Sequence, residues 1–182
     1  MQKSFSLYSK QLLLGQIYDT ALTQIDSFFA ERSIKYGQPV MRGTKTRVLD
    51  ASVINQAEQP SVAMTETVLP WVKGEGDYLG IALRSDFAPV GSTLAADDKV
   101  DYVTKVEMIP GQYSARAPVR IMSLGRVAIY VDIVKEVSST AYYDGTSIIA
   151  AKDQPEGSII IGTFLTEPKA GTISVLQVNN LI

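Results

Sequence analysis

The chain has 182 residues, 46% of them hydrophobic and 20% charged, with a formal net charge of -2 spread along the sequence. That balance belongs to a folded globular chain, and the absence of any run of lysine and arginine leaves nucleic acid no basic stripe to bind. Cysteine and histidine are both missing, which excludes disulfides, thiolate metal sites, a cysteine nucleophile and imidazole as zinc ligand or general base.

At the N-terminus, Lys3 and Lys10 flank short apolar clusters with no core long enough for a signal peptide. The longest uncharged apolar run, Ser158 to Thr166, falls far short of a membrane span. A soluble protein made in the cytoplasm is expected. From Leu12 to Phe29 two patterns compete. Ile17, Ala21, Ile25 and Phe28 or Phe29 recur at near-helical spacing, with Asp19 or Thr20 as a cap but no capping box. The other reading is an extended arm whose Leu12, Leu13, Leu14, Phe28 and Phe29 dock on a neighbouring surface. Residues 1–35 are accordingly expected as an N-terminal arm, extended or with one short helix. A single β-rich domain over 36–182 follows it.

Gly37 to Thr44 reads as a strand bracketed by glycines, continued after a turn by Thr46 to Leu49. Asp50 to Pro70 is polar and predicts a long surface loop, an insertion near 50–70. Tyr78 to Arg84 is a short apolar strand, and Tyr102 to Ile109 a further strand ended by Pro110 and Gly111. Pro118 to Ile133 is the spine of the domain. Val119, Ile121, Val127, Ile129, Val131 and Ile133 alternate with Arg120, Arg126 and Asp132, the period of a half-buried strand. The alternation breaks at Ser123, Leu124 and Gly125, as a tight hairpin or a kinked long strand; the hairpin is the preferred reading. Asp144 and Gly145 mark a turn, and Ile148 to Ala151, Ser158 to Leu165 and Thr172 to Val178 complete a set of short strands. The expected class is mainly β, a small β-barrel or β-sandwich with an extended arm and long loops.

Motifs for chemistry are weak throughout. Gly74 to Gly80 mimics a dinucleotide fingerprint but precedes a strand rather than a helix. Asp97, Asp98 and Asp101 offer oxygen ligands for calcium without the spacing of an EF-hand, and a solvated acidic loop explains them better. Glu75 and Asp77 with Glu66 or Asp86 could pair as glycosidase carboxylates only if the fold set them across a cleft. Tyr78, Tyr130, Tyr142 and Tyr143 could line a sugar-binding face or simply occupy strands. No catalytic residue, metal ligand or cofactor is assigned.

Tyr36 to Thr44, Tyr78 to Ser85, Val119 to Val131, Ile161 to Leu165 and Gly171 to Ile173, in that order, resemble the capsid decoration or structural cement proteins of tailed bacteriophages. The resemblance spans most of the chain from Tyr36 onward. It implies a small β-barrel-like domain without catalysis, seated on the outer capsid surface of the virion, self-associated as a homotrimer or dimer. It also implies adhesion to the major capsid protein, cementing neighbouring subunits, with no nucleic acid or membrane partner. An N-terminal arm that orders on the shell would suit Leu12, Leu13 and Leu14. The long stretch Asp50 to Pro70 and the segment Val134 to Ala151 depart from that pattern. A tail or receptor-recognition module contacting host glycans is the alternative, and a hydrolase with carboxylates alone a third reading.

Overall fold

The computed structural model describes residues 12–49, 63–84, 111–115 and 117–179. They form β1 (Ile17–Ala30), β2 (Ile34–Lys35), β3 (Pro39–Leu49), β4 (Ala63–Pro70), β5 (Tyr78–Ala82) and β6 (Gln112–Tyr113). Then come β7 (Pro118–Val131), β8 (Ile133–Val134), β9 (Thr140–Tyr143), β10 (Ile148–Ala150), β11 (Ile159–Phe164) and β12 (Thr172–Asn179). None of the described residues is helical.

Apart from the short β2–β6 pair, the strands make one sheet in two parts that share β7. In the order β1-β4-β3-β5-β7 the sheet closes, because β7 also pairs with β1. This is a five-stranded barrel. From β7 the ladder continues through β12, β11, β9 and β10 to β8. β8 follows β7 after Asp132 alone, whose N–H donates to the Ile148 carbonyl at 3.0 Å while its carboxylate accepts the Ile148 N–H at 2.7 Å. The second part therefore curls back onto the chain from which it starts.

The shared wall is apolar on both faces. Val40, Val68 and Ile121 point into the barrel with Ala30, Leu79, Ala82 and Val119, while their neighbours Met41, Leu69 and Met122 face Ile129, Ile161, Phe164 and Leu176 of the second part. Strands buried on both faces read as continuous apolar runs rather than alternations, which is why β5 is buried from Leu79 to Ala82. A one-residue slip between Val40↔Gly80 and Met41↔Tyr78 puts Leu79 and Ile81, two apart, into different cores.

Four expectations are corrected. Ser123 to Gly125 make no hairpin: β7 is one strand of 14 residues, and the break marks where its partner changes from β5, last paired at Met122, to β12, first paired at Leu124. Gly125 takes φ 137 there, open to glycine and strained for other residues. Leu12 to Phe29 is not helical; β1 is a sheet strand antiparallel to β7 and parallel to β4. The polar loop near 50–70 ends early, since Ala63–Pro70 is strand β4, paired along β3; residues 50–62, like Tyr102 to Ile109, lie outside the described residues. Thr46 to Leu49 continue β3 through a bulge rather than after a turn.

Candidate functional site

Groups with shifted acidity are absorbed into structure. Burial raises the pKa of Glu31, but hydrogen bonds from the Thr67 hydroxyl (2.6 Å) and the Lys45 N–H (2.6 Å), with the Lys45 charge, outweigh it and hold the carboxyl below its ordinary range. The same Thr67 hydroxyl also reaches the Lys45 carbonyl, its one proton shared between the two acceptors. Glu31 thus pins the bulge at Gly43 to Lys45, where the β3–β4 register slips. Burial likewise opposes Asp144, yet the Ser147 and Thr146 N–H groups, both at 2.8 Å, and the Thr146 hydroxyl keep it depressed and close the β9–β10 turn. Tyr78 and Tyr143 are pushed upward by burial.

The carboxylates considered for hydrolysis do not converge. Glu66 is bound to Arg42 at 3.1 Å, Glu75 and Asp77 are exposed on the turn before β5, and Asp86 lies outside the described residues, as do Asp97, Asp98 and Asp101. The glycines at 74 to 80 lead into strand β5. No cluster that could hold a metal ion is present among the described residues.

The five residues expected to meet a partner sit at the two ends of β1. Leu12 to Gln16 is stitched to the domain: Gly15 N donates to the Ala128 carbonyl (2.8 Å), Arg84 N to the Gly15 carbonyl (2.7 Å) and Ala128 N to the Gln16 carbonyl (2.9 Å). Leu12 and Leu14 are half-buried, and Leu13 is 43% exposed. Phe28 and Phe29 are half-buried at the far end, Phe28 against the barrel core. Tyr18, Val137 and Ile160 are also large apolar side chains more than half exposed.

One arrangement escapes sequence reading. Asp19, Arg126, Gln177, Thr163 and Thr140 are direct partners across β1, β7, β12, β11 and β9, so their side chains form a polar row on one face. Asp19 Oδ2 accepts from Arg126 Nη1 at 2.6 Å, and Gln177 Oε1 from Arg126 Nε at 2.9 Å. Beside this row, at the bulge of β11, opens a cleft of about 310 Å³ bordered by Tyr78, Ile160, Gly162, Thr163, Gln177 and Asn179. Of the four tyrosines considered for a sugar-binding face, Tyr78 borders the cleft, Tyr130 is 42% exposed on β7, and Tyr142 and Tyr143 are buried. No spacing in the chain signals the row, because only the register of five strands assembles it.

Residues 1–179 match a protein family described as structural cement protein (E217 gp24/Pam3 gp6). No curated protein matches the chain. Among solved structures, it is similar to the head fiber gp8.5 N base of bacteriophage phi29, at 8% identity over 88% of this chain and 99% of that one, with a TM-score of 0.43.

Proposed function

The chain belongs to the phage structural cement protein family, and from that premise we propose that it binds the outer surface of a phage capsid and clamps neighbouring major capsid subunits. The observation that supports this reading is Leu13: a large apolar side chain left 43% exposed on a segment that the sheet's own hydrogen bonds fix in place. Adhesion to a lattice asks for apolar contacts offered from a rigid base, since little ordering entropy is then lost on docking, and for repetition, which multiplies weak contacts. Leu12, Leu14, Phe28 and Phe29 would contribute from β1 and its lead-in, with the rest of the barrel as their base. Copies joined as a trimer would meet through two different patches in a closed ring. Synthesis in the host cytoplasm followed by addition to finished heads fits the lack of cysteine.

The test mixes purified protein with expanded heads that lack decoration. Saturable binding is expected, weakened at least about tenfold by Leu13→Asp, because a buried unpaired carboxylate is costly at an apolar contact. Full occupancy by the variant would remove this contact from the account, and no binding by the parent protein would remove the function. Deleting residues 1–16 is a less clean variant, since it also takes the Gly15 and Gln16 hydrogen bonds out of the sheet.

A further inference from the structure

We propose that the cleft at the β11 bulge, with the polar row beside it, binds a neutral oligosaccharide. Sugars carry hydroxyls that both donate and accept, and faces of C–H groups that prefer apolar contact. The cleft offers both. Thr163 supplies a hydroxyl, Gln177 and Asn179 supply amides, and Ile160, 56% exposed, supplies apolar surface on a border it shares with Tyr78. Amides and hydroxyls meet both roles of a sugar hydroxyl.

Gln177 is held for this task. Its carbonyl oxygen takes the Arg126 Nε–H, and Arg126 is fixed by Asp19; its amide nitrogen, 3.3 Å from the Val178 carbonyl, keeps a second hydrogen to donate. Support from outside the contact layer keeps a binding group in one rotamer. Asn179 lies two residues further along β12, on the same face and exposed.

The same features argue against other ligands. The residues bordering the cleft are uncharged, and the two charges of the row are paired with each other, so a phosphate or carboxylate finds no unpaired cation there. β11 is paired on both edges, by β12 and β9, and β12 by β11 and β7, which leaves no edge for an added peptide strand. A volume of about 310 Å³ lies at the lower end of small-molecule sites. It suits one sugar ring, with the rest of the chain lying over the row, whose five side chains span four strand spacings, about 19 Å.

The inference stands apart from the capsid reading and is tested apart from it. Maltotetraose, cellotetraose and chitotetraose are titrated separately into the purified protein and followed by NMR. Saturable shifts with at least one of them are expected, with affinity reduced about tenfold or more in Thr163→Ala and Asn179→Ala, whose unfolding midpoints stay at the parent value. Lys152→Ala, exposed in the turn after β10, should leave binding unchanged, and all three variants should still load onto heads. Absence of saturable shifts with every one of the three sugars overturns the proposal. So does binding that survives both cleft substitutions.

Discussion

At Gly125 the backbone sits at φ 137, and a Cβ there would lie 2.9 Å from Thr23 Cγ2 and 3.0 Å from Met122 Sδ. Gly125→Val therefore combines backbone strain with crowding, and a loss of about 1–3 kcal/mol is expected in denaturant unfolding. An unchanged midpoint would mean that β7 bends elsewhere. Glu31 gives a second test at this scale. Its folded-state pKa is depressed below its ordinary 4.5, and that of Asp144 below its ordinary 3.8. Each carboxylate contributes stability that is fully present above its unfolded pKa and is lost as pH falls through its lower folded pKa. Stability should fall as pH drops from about 5 toward 3, and Glu31→Gln should flatten that slope; a variant with the parent's acid profile would show that the carboxylate at the bulge is not held in its charged form.

At the scale of elements, the β9–β10 turn depends on one side chain. Asp144 accepts three hydrogen bonds within the next three residues, and Gly145 packs near Trp71 and Lys73. Asp144→Ala should cost about 1–2 kcal/mol and raise amide exchange first at Ile148 to Ala150; exchange raised uniformly over the chain would point to a global effect instead. This turn was legible in the sequence because aspartate before glycine carries its own local chemistry, and β11 and β12 were legible as apolar runs between glycine or proline breaks. β1 was not. From Asp19↔Arg126 to Gln24↔Leu124 it advances five residues while β7 advances two, and the bulge disturbs the period-2 pattern enough to imitate helical spacing. The hairpin reading failed for a related reason: Ser123 to Gly125 break the alternation where β7 changes partner, a long-range event with a short-range look. Nor could the polar row be read from sequence, since Asp19 and Arg126 are 107 residues apart and meet only through strand register.

Over the whole molecule, two apolar cores share one wall, so the barrel and the curled second part brace each other. Membership of the structural cement family makes the chain a structural phage protein, and the shifted carboxylates of Glu31 and Asp144 brace a bulge and a turn. Under the function proposed above, the protein acts by holding shell subunits together. Calorimetry of undecorated heads, with and without saturating protein, measures it most directly. The account predicts a higher shell melting temperature that rises with occupancy and falls back when Leu13→Asp replaces the parent protein. Heads that bind the protein to saturation and melt at an unchanged temperature would contradict it.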